Sequence, residues 1–391
     1  MRRPAAGLVR LLPRPEWFVS PLRGAQVTAR IGRWLGIAFG VAFVTGVFSH
    51  FMQESIPTWL PSRPVWLYRV TQGVHVAAGT AAIPLLLVKL WSVYPKLFKR
   101  VEMRRVGPAL VSAVERASIA VLVAAALFQL ATGIANAAQW YPWSFSFRDA
   151  HYAVAWVAIG SVLLHVAVKL PVVRSALGAA PEDAEPVTGS TAEPAGAPVS
   201  RRTLLAATWT AAGLAVLTTA GAAVPWMRRV SVFAVTTGDG PQGLPVNRTA
   251  SSAGVLPAAL DPGWVLTVVN GAREVRLSRQ DLLALPQRVE VLPIACVEGW
   301  SASATWTGVR VADVLALVGA VPASDLLVSS LQDGKQDRLP PQWSADPLSL
   351  FALRLNGEEL GLDHGYPCRL IAPNRPGVEQ TKWLSRVEVQ A

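Results

Sequence analysis

Cys296 is one of two cysteines in 391 residues, and it stands in the run Ile294-Ala295-Cys296-Val297-Glu298-Gly299-Trp300-Ser301. The segment before it, Val289-Glu290-Val291-Leu292, is β-branched and apolar and predicts a strand. A cysteine that follows a strand and precedes Gly and Trp-Ser is presented on a turn. A thiolate there can ligate a metal, act as a nucleophile or form half of a disulfide. A structural cysteine packed into a core is the fourth reading.

The histidines are the second chemical set. There are five, His50, His75, His151, His165 and His364, and the first four lie in or beside long apolar runs. Polar ligands at membrane depth are costly and usually functional. His165 follows His151 by fourteen residues. At 100° and 1.5 Å per residue, the two share nearly one helix face about 21 Å apart. That is the spacing for stacking two b-type haems in a helical bundle. His75 with His151 is the best pair, because both fall near one end of their spans. Lys89, not histidine, stands fourteen residues past His75. Either His50 and His165 serve a second haem, or one haem is present. A hydrogen-bonded core histidine is the plain alternative for each.

The C-terminal motifs resemble those of the sulfite-oxidase-type molybdopterin oxidoreductases. Cys296–Ser301 with Trp306-Thr307-Gly308-Val309 is similar to the family's molybdenum-cysteine segment. Asp363-His364-Gly365-Tyr366-Pro367-Cys368-Arg369-Leu370 and Gly377-Val378-Glu379-Gln380-Thr381-Lys382-Trp383-Leu384 resemble its cofactor-cradling half. The resemblance covers roughly 240–391. It implies one molybdenum bound by a pterin dithiolene and by Cys296, a soft ligand suited to such a metal. It also implies cofactor contacts from Asn247, Arg248, Ser330, His364, Arg369, Gln380, Thr381 and Lys382. A phosphate on the pterin would want guanidinium and imidazole donors, which Arg369 and His364 offer. An Asn-turn and a surface arginine are the alternatives for Asn247 and Arg248, and surface salt bridges for the others. Asn374 and Arg375 are placed at the substrate mouth. A Cys296–Cys368 disulfide, which would forbid metal binding by Cys296, is the rival.

These residues need elements to hold them. Hydrophobic residues make up 52% of the chain and charged residues 16%, and the mean hydropathy is +0.36. An ordinary soluble enzyme is less apolar. Five stretches approach the roughly 20 residues that cross a bilayer: 34–52, 70–93, 117–138, 152–170 and 204–226. The net charge of +11 comes from residues beside these runs, so it signals cytoplasmic loops, not nucleic acid. Arg2, Arg3, Arg10, Arg14, Arg23, Arg30 and Arg33 lead the chain, and Lys96, Lys99, Arg100, Arg104 and Arg105 follow the second span. The loops 53–69 and 139–149 are poor in Lys and Arg. The N-terminus is therefore expected in the cytoplasm and the residues after the fifth span outside it.

Residues 179–198 are Ala-, Pro-, Glu-, Gly- and Thr-rich and predict a flexible linker. It runs into Ser200-Arg201-Arg202-Thr203-Leu204-Leu205, which resembles a twin-arginine export signal; two positive-inside arginines are the alternative. Further on, Trp264–Val269 and Glu274–Leu277 alternate about Asn270-Gly271 and predict a hairpin. Helices are expected over 282–285 and 311–318, and a strand over 326–331.

The expected architecture is a multidomain chain: a basic cytoplasmic tail (1–33), an all-α transmembrane four-helix bundle similar to the membrane b-type cytochromes (34–175), a linker (176–202), a fifth anchoring span (203–226) and a mixed α+β molybdopterin domain (227–391). The expected cofactors are Mo-molybdopterin and haem b. The expected function is a multi-pass cell-membrane oxidoreductase exchanging electrons with quinone or quinol and reducing a small oxo substrate such as a sulfoxide. Oxidation of a substrate such as sulfite, with quinone as acceptor, and a metal-free electron-transfer or binding protein are the alternatives. Membrane lipid and, during biogenesis, the twin-arginine export machinery complete the expected partners.

Overall fold

A computed structural model describes residues 20–54, 59–95, 106–178, 199–234 and 240–390. The linker 179–198 and the basic residues Arg2, Arg3, Arg10, Arg14, Lys96, Lys99, Arg100, Arg104 and Arg105 lie outside the described residues.

Among the described residues, five helices are long and apolar enough to cross a membrane. They are α1 (Ala25–Glu54), α2 (Leu67–Val93), α3 (Val106–Ala137), α4 (Phe147–Gly178) and α5 (Arg201–Thr219). Leu87, Leu163 and Val172 on these helices stay more than half exposed, which suits a lipid surround. α5 starts where Ser200 accepts the Thr203 amide at 3.0 Å, an N-cap. The Ser200–Leu205 hexamer is thus a helix start. α5 ends before the expected Trp226. Ser231 Oγ accepts the Gly221 amide at 2.8 Å, and the chain passes into short 3₁₀ turns at Ala220–Ala222 and Pro225–Met227.

The contacts divide the chain into two compact units. One comprises Met1–Phe43, Ala77–Asn136 and Trp140–Leu217. Its helices pack through Val27, Ile31 and Leu85. The ring of Trp34 meets Trp209, and that of Phe43 meets Trp156, edge-on at 4.9 Å. Lys89 donates to Thr28 O at 2.9 Å. A β-carbon at Gly32 would lie 2.8 Å from Lys89 Nζ, so that glycine makes room for the ammonium.

The other unit comprises Val44–Val76, Ala137–Gln139 and Thr218–Ala391. It holds two sheets. The first has strand order β2-β1-β10-β5-β6, with β1 (Val265–Asn270) parallel to β10 (Leu384–Val389). β2 (Arg273–Ser278), β5 (Leu326–Ser330) and β6 (Gln336–Leu339) pair antiparallel. The second runs β3-β4-β7-β8, with β9 (Arg369–Ile371) also on β7 (Leu350–Leu355). Its long hairpin is β3 (Gln287–Ala295) and β4 (Ser301–Arg310); β8 is Glu358–Glu359. The predicted hairpin about Asn270-Gly271 is β1–β2. The predicted helix at 282 begins earlier, as α6 (Arg279–Ala284), because Ser278 and Asp281 form a capping box. α7 (Val311–Leu317) matches its expected span. The domain is mixed α+β, as expected.

The α1–α2 connection belongs to this domain's core. Met52, Leu60 and Tyr68 are buried with Trp264, Leu266, Phe351 and Leu384. Asp346, itself buried, accepts both Arg63 Nε and Nη2, at 3.0 and 2.9 Å, and Ser62 Oγ. Asn374 completes the joint. Its Nδ2 donates to Pro61 O at 2.7 Å and its Oδ1 accepts the Tyr68 amide at 2.6 Å. Asn374 sits at φ 50°, a left-handed conformation that Asn tolerates better than most residues. Expected at a substrate mouth, it serves as a fastener in the fold.

Asn374→Ala would leave two backbone groups unpaired and place alanine in a strained conformation. The expected cost is about 1–3 kcal/mol, with faster hydrogen exchange at the Tyr68 amide. An unchanged Tyr68 exchange rate would contradict this role.

Candidate active site

The turn that carries Cys296 is made by the β3–β4 ladder. Nine residues of β3 pair with β4, ending at Ala295 opposite Ser301, and the five residues between must reverse the chain. The Cys296 amide donates to Trp300 O at 2.8 Å, and the Gly299 amide to Cys296 O at 3.1 Å. Gly299 has φ 87°, a conformation glycine adopts without penalty. Glu298 accepts Trp300 Nε1 at 2.9 Å and Gln139 Nε2 at 2.6 Å. The expectation of a cysteine on a turn holds. Its thiol is nevertheless buried, among Ile294, Trp300, Ala302 and Trp306.

The Cys296–Cys368 disulfide is not formed. Both thiols are free, and they lie in different apolar clusters, Cys368 packing in the core with Leu370 and Leu384.

Arg369, on β9, and Lys382, just before β10, bring positive charge to the Cys296 thiol. Arg369 is buried. Its Nη1 donates to His364 O at 3.1 Å, its guanidinium lies over the Trp306 ring, and its Nε has no partner. Burial lowers its pKa to about 10. Lys382 donates to Asp363 O at 2.8 Å and to Arg248 O at 2.9 Å. Burial, then repulsion from Arg369, lowers its pKa to about 7, although Asp363, Cys296 and Glu298 oppose the shift. Burial, then Glu298, pushes the Cys296 thiol up. The thiol therefore keeps its proton, which a bound metal would displace. Gly365 (φ 114°) lets the chain pass close: a β-carbon there would lie 3.1 Å from Lys382 Cβ and 3.2 Å from Arg369 Cβ.

His364 is buried, with Nε2 2.6 Å from Pro241 O. A carbonyl can only accept, so Nε2 carries the hydrogen and Nδ1 the lone pair. Burial lowers the His364 pKa to about 4, so the ring is neutral near pH 7. Ser330 Oγ donates to Lys382 O at 2.8 Å and ties β5 to the same segment. Gln380 donates to Arg375 O at 2.8 Å, and its Oε1 is buried without a partner. Thr381 Oγ1 donates to Asp337 at 2.6 Å, and its carbonyl accepts the Leu370 amide. Arg375 is buried and paired with Glu379. Asn247 and Arg248 are exposed, and the Arg248 contact to Lys382 is made by its carbonyl.

Cys296, Arg369, Lys382 and His364 therefore share one electrostatic neighbourhood, with Ser330 bracing it. Glu298 and Asp363 were missed as site residues. Their motifs were visible, but nothing in residue type showed that they would flank Arg369 and Lys382.

The donor set fits an anionic, polar ligand. An unpartnered guanidinium nitrogen and two cations held below their ordinary pKa are what an anionic pterin dithiolene and its phosphate would satisfy, and the unpartnered Gln380 oxygen would take an N–H of the pterin. Cys296, Arg369, Lys382 and Gln380 are the residues that would hold it.

In protein prepared without pterin, Lys382 binds fewer protons folded than unfolded between pH 7 and its ordinary range near 10.5. Its contribution therefore makes stability rise with pH from about 7. Above pH 9 the raised Cys296 thiol works the other way. Lys382→Met should remove the rise between pH 7 and 9, measured as melting temperature against pH. An unaltered slope would refute the burial of this charge.

Comparison with known proteins points to the same chemistry. The family described as "Oxidoreductase molybdopterin binding domain" matches residues 253–391. Mitochondrial sulfite oxidase of Drosophila melanogaster is 28% identical over 34% of this chain and 28% of its own length. The uncharacterized oxidoreductase YuiH of Bacillus subtilis is 31% identical over 29% of this chain and 57% of its own. The putative protein-methionine-sulfoxide reductase subunit YedZ1 of Azospira oryzae is 30% identical over 28% of this chain and 42% of its own. The chain thus spans less than two thirds of each of these curated relatives. Residues 253–391, with Cys296 on its turn and the cations behind it, form an oxidoreductase molybdopterin binding domain related to that of the sulfite oxidases.

Proposed function

We propose that the chain is a membrane-bound oxidoreductase that exchanges electrons between the quinone pool, a b-type haem held by His75 and His151, and an extracytoplasmic molybdenum centre at Cys296, and that it reduces a small oxo substrate such as a sulfoxide. When bound, molybdenum pterin would supply two-electron oxygen-atom transfer and haem one-electron transfer. A sulfoxide reduced this way takes two electrons and two protons and leaves as sulfide and water; quinol supplies both.

One observation carries the coupling of the two halves. The Cys296 turn rests on the helix that bears His75. Gln72 Nε2 donates to Val297 O at 3.5 Å, and a β-carbon at Gly299 would lie 3.0 Å from Val76 Cγ2. Gln72 and Val76 flank His75 on α2, three residues before it and one after. A redox centre at Cys296 and one at His75 would be joined by a short stretch of packed protein. His50 and His165 serve a second haem if there is one.

The chain's own residues would divide the work. Cys296 would ligate the metal as a thiolate, and Arg369 and Lys382 would offset the negative charge. Trp300, Trp306 and the buried apolar residues beside them keep water from the thiol. The joint between the α1–α2 connection and the C-terminal domain supports their lying on one side of the membrane. With the basic N-terminus inside, that side is the outside, which the twin-arginine hexamer Ser200–Leu205 would serve during export. The likeness to YedZ1, described as a putative protein-methionine-sulfoxide reductase subunit, favours the reductive direction. The likeness to sulfite oxidases favours the oxidative one.

The purified chain should contain molybdenum and haem. Cys296→Ala should keep the haem, lose the molybdenum and lose turnover of a reduced-quinol and sulfoxide couple. Turnover that survives in the variant would remove Cys296 from the metal, and turnover only with sulfite and quinone would reverse the direction.

A further inference from the structure

The two outer-span histidines are held alike, although they lie in different parts of the chain. His75 Nδ1 is 3.3 Å from Thr45 Oγ1 on α1. A β-carbon at the next residue, Gly46, would lie 3.0 Å from His75 Cε1. His151 Nδ1 is 3.0 Å from Thr132 Oγ1 on α3. A β-carbon at the next residue, Gly133, would lie 3.8 Å from His151 Cε1. In each case a Thr-Gly pair on the preceding helix meets the Nδ1 and Cε1 edge of the ring. Threonine takes the nitrogen, and glycine leaves room for the carbon.

The hydrogen bonds around Thr132 decide the tautomer of His151. The hydroxyl has one hydrogen. Phe128 O, which can only accept, lies 2.7 Å away and Gln129 O 3.3 Å away. The hydrogen is spent on the backbone, so a lone pair of Thr132 Oγ1 faces the ring. Nδ1 must therefore be the protonated nitrogen, and Nε2 keeps the lone pair. Gln129 Nε2 also donates to His151 O at 2.8 Å and steadies the first turns of α4. This is the tautomer that a metal-ligating imidazole needs, with its other nitrogen donating to an acceptor.

We infer that Thr45-Gly46 and Thr132-Gly133 are positioning pairs that set His151 as an Nδ1–H imidazole and, by the like Thr-Gly arrangement, His75 in the same form, each with Nε2 as the nitrogen to ligate haem iron. The inference rests on the haem reading above and adds the residues that orient the ligands and tune their strength. Donation from Nδ1–H to a hydroxyl makes the imidazole a stronger ligand and favours the ferric state. Removing the acceptor should therefore raise the midpoint potential.

The full chain, purified in detergent with its haem, gives the test. Thr45→Val and Thr132→Val should each retain a reduced haem band and shift its midpoint potential upward. Thr45→Ser and Thr132→Ser, which keep the hydroxyl, should match the wild type. Haem lost in a Val variant and retained in its Ser counterpart supports the same assignment. Val variants with wild-type potential in a haem-bearing protein overturn the positioning role while leaving the haem reading intact. A wild-type chain without haem, or His75→Ala and His151→Ala variants with full haem content, overturn the haem reading itself.

Discussion

A buried Arg369 and a half-buried Lys382 beside a thiol set the terms for the C-terminal domain. Arg369 and Lys382 are taken out of water close enough to repel one another, and Asp363 and Glu298 do not offset the cost. The hydrogen bonds of Arg369 and Lys382 go to backbone carbonyls, so the charges themselves are left for a partner to offset. An anionic ligand would do so. The surroundings of these side chains are built to hold them in place. Ser330 braces the Lys382 backbone, the Trp306 ring supports Arg369, and Gly365 allows the two segments to approach.

The same economy governs Cys296. Its turn is the end of a nine-pair ladder, so the thiol is placed by backbone geometry and not by side-chain packing alone. Burial keeps it protonated, and a metal would pay for the loss of that proton. The turn also lies against α2 at Gln72 and Val76. The helix that offers His75 therefore touches the loop that offers Cys296.

Much of this was legible in the residues. Five apolar runs predicted five spans, because crossing a bilayer demands length and apolarity that leave a plain trace. The hairpin about Asn270-Gly271, the cysteine on a turn and the α+β character of the C-terminal domain could be read for the same reason: each is a local matter of periodicity and turn chemistry. Other features were not local. Ser278 and Asp281 moved a helix start by a few residues, and Ser231, ten residues on, helped to end α5.

Sequence alone therefore determined which residues could do chemistry and which segments were apolar enough to span. Tertiary structure alone decided what those residues do with their hydrogen bonds. It spent both ends of the Asn374 side chain on the α1–α2 connection, gave the His364 hydrogen to Pro241, kept Cys296 and Cys368 in separate clusters and set Thr-Gly pairs against His75 and His151. The physical reason is that residue type fixes what a group can donate or accept, whereas its partner is chosen by segments tens or hundreds of residues away.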